Sequence, residues 1–380
     1  MSEPRHAGLD GLRALAVLGV VTEHSLLFPT WLSNAAHPGG TAVRLFFVLS
    51  GYLITGILLR ARTAAQDRNR RHLFFAFYVR RAVRIFPVAY AAIAVMCLLS
   101  ISDARAHVVE LATYTTNLGM AVRGHWNDAL PHFWTLAIEE QFYLLWPAII
   151  LLTPRRAVPG AMIGACVLAM VARWWLADDW FSAMIATPAR LDALAWGGVL
   201  AYFGAVPYAG TIGAALIAIG YFVPPLGTVL SETGCVLLSG AVVMTVVRRP
   251  SWTRWLEYRP LVYIGTISYG MYVWHMAIPQ ILGALADRGI NVGFRVPEVY
   301  GPVRFVVLGS LTIAVAALSW HLFERPINDL KRYAPYRRPD DAPAPARETA
   351  PAPARETRAS DVAMMPLARP LQDVAAPPDM

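Results

Sequence analysis

The chain has 380 residues, 56% of them hydrophobic and only 15% charged, with a mean hydropathy of +0.45. A soluble domain carries about 25% charged residues, so this balance excludes an ordinary soluble domain and calls for an integral membrane protein. The net charge of +8 would suggest nucleic acid as partner of a soluble chain, but in a membrane protein it marks the loops on one side of the bilayer.

The first apolar stretch, LDGLRALAVLGVVTEH from Leu9 to His24, reads as the start of a membrane-spanning helix that carries Asp10, Arg13, Glu23 and His24. Eleven residues separate Arg13 from His24, roughly three helical turns plus 20°, which sets both on one stripe about 16 Å apart. Ionisable residues inside a span are costly and point to a functional site. The competing reading is a snorkelling arginine and a histidine among the headgroups. No small-residue cleavage site follows the stretch, so it is expected to be a retained first span and not a signal peptide.

Ten spans are expected, at about 11–29, 42–59, 85–101, 134–152, 160–176, 188–205, 208–223, 228–247, 262–282 and 303–323, most of them near the roughly 20 residues a crossing needs. Pro38-Gly39-Gly40 is expected to break the chain between the first two. In the second, Ser50-Gly51 would allow close approach of a neighbouring helix. Eight arginines between Arg60 and Arg84 face one acid, Asp67, and further arginines follow at 155, 156, 248, 249, 254, 259 and 325. The opposite loops hold only Arg105, Arg123, Arg288 and Arg295. By the positive-inside rule the arginine-rich loops and both termini are cytoplasmic.

The loop from Ser102 to His132 on the other side carries Tyr114, Asn117, His125, Trp126 and Asn127, a set that suits either a sugar site or an interfacial aromatic belt. The fourth span opens with HFWTLAIEEQFYLLWP, placing Glu139 and Glu140 one to two turns inside, where they need cationic or hydrogen-bonded partners. In the ninth, Ser268, Tyr272 and His275 lie at i, i+4 and i+7 on one helical face. Cys97, Cys166 and Cys235 sit in apolar segments without metal-ligand spacing, and read as packed thiols. Glu324-Arg325-Pro326 closes the last span. The chain therefore divides into a membrane domain over residues 1–332 and a tail over 333–380. APAPARET occurs in the tail twice in tandem, at Ala342–Thr349 and Ala350–Thr357, a composition expected to stay extended and disordered.

Six motifs in order give the chain a resemblance to the membrane-bound acyltransferase-3 family, over roughly residues 7 to 328. They are LDGLRALAV…EH with Arg13 and His24, LFFVLSGYLIT (Leu45–Thr55), RRAVRIFPVAY (Arg80–Tyr90), FWTLAIEEQFYLLWP (Phe133–Pro147), RLDALAWGG (Arg190–Gly198) and ISYGMYVWH (Ile267–His275). The resemblance implies an all-α core of about ten helices in the bacterial inner membrane. It also implies O-acyl transfer from acyl-CoA, acetyl-CoA in the first instance, to a hydroxyl of a glycan, lipopolysaccharide or glycosylated metabolite. His24 then takes the place of the family's essential histidine, and Arg81 and Arg84 match its cytoplasmic arginine pair. A periplasmic SGNH-type domain, which some relatives carry, is not expected here, so transfer is expected to finish in the membrane domain or with a separate partner.

Such a transfer needs a base, donors for the developing oxyanion and a cationic grip on the CoA phosphates. His24 suits the base or a transient acyl carrier, since neutral imidazole takes a proton near pH 7. Arg13 could orient the site, hold a phosphate or pair with Asp10. Arg81 and Arg84 suit a diphosphate, or serve topology alone, and Arg190 is a third candidate for the donor. Glu139 and Glu140 could polarise His24 or form a structural ion pair, and Ser268, Tyr272 and His275 are further candidates. No metal and no nucleic acid is expected, membrane lipid surrounds the chain, and the oligomeric state is open. The rival reading is a polytopic transporter, which ten spans and a polar cavity suit equally well.

Overall fold

The structure is a computed structural model that describes residues 6–26, 38–65, 69–290 and 301–336; His37, Arg295 and the repeats of the tail lie outside them. The described residues are 83% helical, with no strand among them. The principal helices are α1 (Ala7–Glu23), α2 (Pro38–Ala64), α3 (Arg70–Leu98), α4 (Phe133–Leu152), α5 (Val158–Trp175), α6 (Thr187–Phe203), α7 (Ala209–Phe222), α8 (Pro224–Arg248), α9 (Arg259–Trp274), α10 (Ala277–Asp287) and α11 (Pro302–Ser319). Among the described residues, six helical stretches are long and apolar enough to cross a membrane: Gly39–Ala64, Arg70–Leu98, Phe133–Leu152, Arg155–Trp175, Leu226–Arg248 and Pro302–Tyr333.

Among the described residues the ten expected segments fall largely in helix, the first ending at Glu23 with residues 27–29 outside the described residues, and three differences of detail stand out. Pro38-Gly39-Gly40 opens α2 instead of breaking the chain, because proline at a first helical position gives up an N–H that has no intrahelical partner anyway. The arginine-rich stretch before Ile85 is helix from Arg70 onward, so its cations ride on α3 at fixed positions. The ninth segment breaks after Trp274 and resumes at Ala277 as α10.

The helix pairs pack as their small residues dictate. α1 lies against α9 and α2, α2 against α6, α6 against α5, and α7 against α8. A Cβ on Gly51 would sit 1.8 Å from the Leu194 carbonyl oxygen, and one on Gly197 2.2 Å from that of Val48. Only glycine permits this approach of α2 and α6, which is the close packing Ser50-Gly51 suggested. Gly265 does the same for α9 against the Asp10 carbonyl of α1. Arg62 closes the far end of α4, donating to the Ile150 and Thr153 carbonyls at 2.6 and 2.9 Å, where a helix leaves its last carbonyls unpaired.

Candidate active site

One cavity of about 1010 Å³ runs into the bundle between α1, α2, α3, α4, α9 and the end of the last helix. Its open end is marked by the exposed side chains of Arg60, Arg325 and Asp329. A π-helical turn at Trp320–Glu324 carries the chain beyond α11, and brings Arg325, Asn328, Asp329 and Lys331 to that mouth. Arg80 holds the segment there, donating to the carbonyls of Lys331 (3.2 Å) and Ala334 (3.4 Å) and lying over the Tyr336 ring. Glu324 is buried and accepts from Ser319 Oγ at 2.7 Å, so the charged exit of the last span is part of the cavity wall's scaffold.

Seven cations line the cavity (Arg13, Arg60, Arg80, Arg81, Arg84, Arg325 and Lys331) against three acids, Asp10, Glu139 and Asp329. Arg13 and Arg84 make no hydrogen bond or ion pair among the described residues, and Arg81 Nε is buried without a partner. Glu139 Oε1 accepts from Ser50 Oγ at 2.6 Å, and Ser50 Oγ in turn accepts from Tyr143 at 3.1 Å. Neither Glu139 nor Glu140 forms an ion pair among the described residues, against the expectation of a structural pair. Glu140 does not line the cavity and lies within electrostatic range of Tyr90 and Tyr114. Half-buried cations that outnumber the acids beside them are costly in a bundle, and a polyanion entering the cavity would relieve that cost.

The inner end of the cavity is formed by Thr135 of α4 and Tyr272 of α9, whose hydroxyls lie 2.5 Å apart, with Phe46 edge-on to Tyr272. Ser268 also lines it, its hydroxyl bonded to the Gly265 carbonyl. Behind Tyr272 stands a cluster of three histidines. His24 caps the end of α1, His275 follows α9, and their ring centroids are 5.2 Å apart; His132, just before α4, is 4.8 Å from His275. Tyr272 is 5.6 Å from His275 and 5.4 Å from His132. Arg13 and His24 thus share a helical stripe but serve different compartments, the cavity and the cluster beyond it. His132 was absent from the sequence expectations, although it opens the motif that carries the two glutamates. No group of three His, Cys, Asp or Glu among the described residues is placed to hold a metal ion.

Arg190 is not brought to this cavity. It pairs with Glu232 of α8, which Arg44 of α2 also grips, through Nε at 2.6 Å. Asp192, two residues further along α6, pairs with Arg173 at 2.6 Å. Arg190 and Asp192 therefore do not pair with each other, and the network ties α2, α5, α6 and α8 together. Asn117 and Asn127, read as candidate sugar contacts, are buried and spent within the protein. Asn117 donates to the Ile185 carbonyl and to Thr187 and accepts from Gln141, while Asn127 donates to Thr116 and accepts from Arg123. Trp126 packs edge-on against Phe181.

A family model described as acyltransferase domain matches residues 6–321. The chain is 27% identical over 369 residues to the O-acetyltransferase OatA of Staphylococcus aureus, covering 86% of this chain and 58% of the relative. It is 28% identical over 364 residues to the peptidoglycan O-acetyltransferase OatA of Listeria monocytogenes, covering 84% and 55%. To the protein of Bacillus subtilis named putative peptidoglycan O-acetyltransferase YrhL it is 31% identical over 368 residues, covering 84% and 54%. The chain spans a little over half the length of these curated relatives, and no solved structure matches it. Its apolar helices and its bacterial relatives make it a multi-pass membrane protein.

Proposed function

Because the chain belongs to the acyltransferase domain family, we propose that it transfers an acetyl group from acetyl-CoA to a hydroxyl of a cell-envelope glycan. The observation that carries this reading is the cation-lined cavity that ends at Tyr272 and Thr135 against the histidine cluster. Arg13, Arg81 and Arg84, deep in the cavity and without a direct ion pair among the described residues, hold the diphosphate. Arg60, Arg80, Arg325 and Lys331 at the mouth hold the remaining phosphate. The pantetheine arm then lies along the roughly 16 Å of α1 that separates Arg13 from His24, and its thioester comes to the Tyr272 end. His24 takes the proton of the acceptor hydroxyl, or carries the acyl group in transit; in either case the carbon–sulfur bond breaks and the thiol leaves down the cavity. Glu139, held by Ser50, which Tyr143 holds in turn, orients the arginines around it. The peptidoglycan named for two relatives makes a peptidoglycan sugar the first acceptor to test.

The same reading sets the arginine-rich mouth and both termini in the cytoplasm, with ten crossings in the bacterial cytoplasmic membrane. Residues 1–332 form the membrane domain and 333–380 a cytoplasmic extension. The test is the purified full chain in lipid nanodiscs with acetyl-labelled acetyl-CoA and peptidoglycan fragments. Acceptor-dependent release of free CoA with label on the glycan is expected, and His24→Ala should lower it on the order of 100- to 10,000-fold. Movement of donor or glycan across the bilayer with no thiol released would make the protein a transporter instead.

A further inference from the structure

His132 and His275 are 5% and 0% exposed, and the protein gives each of them one hydrogen bond and withholds the other. His275 Nδ1 lies 2.7 Å from the Tyr272 carbonyl and His132 Nε2 lies 3.2 Å from the Val273 carbonyl. A carbonyl only accepts, so these nitrogens carry the protons. The remaining nitrogens, His275 Nε2 and His132 Nδ1, are buried lone pairs without a partner among the described residues. Leaving a buried acceptor unmade costs about 1–3 kcal/mol. Packing alone does not account for bearing that cost twice in one cluster, since leucine or phenylalanine would fill the same space without it. Each of the three rings comes from a different helix, and at centroid distances of 5.2 and 4.8 Å one water can bridge the nitrogens of adjacent rings. No charged side chain hydrogen-bonds any of the rings among the described residues. The nearest charged groups are Glu23, beside His24 on α1, and Arg304 of α11, whose Nε donates to the His24 carbonyl at 3.3 Å; the other groups facing the cluster are the hydroxyls of Thr135 and Tyr272.

We propose that His275 and His132 extend His24 into a relay of three imidazoles, in which His275 Nε2 shares the proton that His24 removes from the acceptor hydroxyl. The inference rests on the transferase reading with His24 as proton acceptor. The hydroxyl proton goes to His24 and onward to His275 Nε2, the hydroxyl oxygen bonds to the acyl carbon, and the carbon–sulfur bond breaks. The proton then returns through His24 to the departing thiolate, so the three rings end neutral, as they began. His275 and His132 touch neither substrate and act through His24; they are positioning residues. A histidine between donor and acceptor compartments would otherwise hold a full positive charge in an apolar bundle during each turnover, and sharing it over three rings lowers that cost.

Two near-isosteric variants separate the relay from a packing role. His275→Asn keeps an N–H for the Tyr272 carbonyl and removes the second nitrogen, and His132→Gln does the same toward Val273. Both are made in the full chain in nanodiscs and assayed by acceptor-dependent CoA release. The relay predicts for His275→Asn a fall in kcat on the order of 10- to 100-fold, with the KM for acetyl-CoA within about twofold of wild type. It also predicts a displaced basic-group limb in the pH–rate profile, and a rate that varies linearly with the deuterium content of the solvent where the wild-type plot is curved. His132→Gln should show the same changes in weaker form. Wild-type kcat in both variants overturns the relay, as does a loss that tracks only the amount of folded protein with the pH profile and solvent-isotope curvature unchanged. A wild-type protein that releases no CoA overturns the transferase reading itself, and the relay with it.

Discussion

Replacing Gly51 by alanine tests the connection between helix packing and the cavity. The new Cβ would start 1.8 Å from the Leu194 carbonyl oxygen. Real Cβ contacts stay above 3.0 Å, so α2 and α6 must part by about 1.2 Å. Overpacking of that kind costs about 1–3 kcal/mol. The displacement also reaches the neighbouring residue: Ser50 Oγ sits 2.6 Å from Glu139, and adding a comparable shift carries it beyond hydrogen-bond range. A bond to a charged group contributes about 1.5–3 kcal/mol, so turnover should fall by roughly tenfold or more in addition to the loss of stability. The assays are thermal unfolding of the purified protein, followed by tryptophan fluorescence, and CoA release. The control is Gly164→Ala on α5, where nothing lies within 4 Å of the added carbon, and where alanine should be neutral or stabilising by up to about 1 kcal/mol. A Gly51→Ala protein with wild-type midpoint and turnover would refute the reasoning.

Arg84→Ala and Arg13→Ala should raise the KM for acetyl-CoA by on the order of tenfold while the KM for the glycan stays put, because a phosphate grip acts before and during the chemical step; steady-state kinetics with both substrates varied will show it. Glu232→Gln leaves Arg44 and Arg190 buried around a neutral amide, and should lower stability by about 3–5 kcal/mol, read as a depressed unfolding midpoint with the donor KM unchanged in the folded fraction. In the loop after α3, the hydrogen bond from Arg123 holds the Glu110 carboxyl below the usual carboxylate range. The pair's contribution is then complete above the ordinary carboxylate pKa and is lost as the pH falls through the depressed value. Glu110→Gln should therefore unfold at a lower temperature than wild type at neutral pH, and the two midpoints should converge in acid.

Much of this arrangement was legible in the sequence, because a bilayer penalises charge so heavily that each polar residue in an apolar run carries information. Arg13, Glu139, Ser268 and Tyr272 were singled out for that reason, Arg81 and Arg84 through the family's arginine pair, and all line one cavity. The same signal was present for Arg44 and Glu232, each a lone charge in an apolar segment, but their pairing joins helices 188 positions apart in sequence, and periodicity within a helix carries no trace of it. Arg190 belonged to the right motif and the wrong compartment for the same reason. His132 was hidden by its place at a helix boundary, where a histidine is ordinary. The break of α9 after Trp274 sets His275 beside it; Pro279, in the first turn of α10, has no N–H for the His275 carbonyl and marks that break.

The walls of the cavity are drawn from both extremes of the membrane domain, from His6 and Asp10 at one end of the chain to Asp329 and Lys331 at the other. A ribosome therefore releases the first helix into the membrane long before the residues that close the ring around it exist. Until α9 and the end of the last helix arrive, Asp10 and Arg13 have neither the cavity nor its water to face, and the nascent chain must shelter them at the insertion machinery or among α2 and α3. The cavity is consequently completed only at the end of synthesis, in a single closing event. A chain cut between α8 and α9 and expressed as two pieces would have to assemble across that same seam, α1 against α9, before either piece had a site.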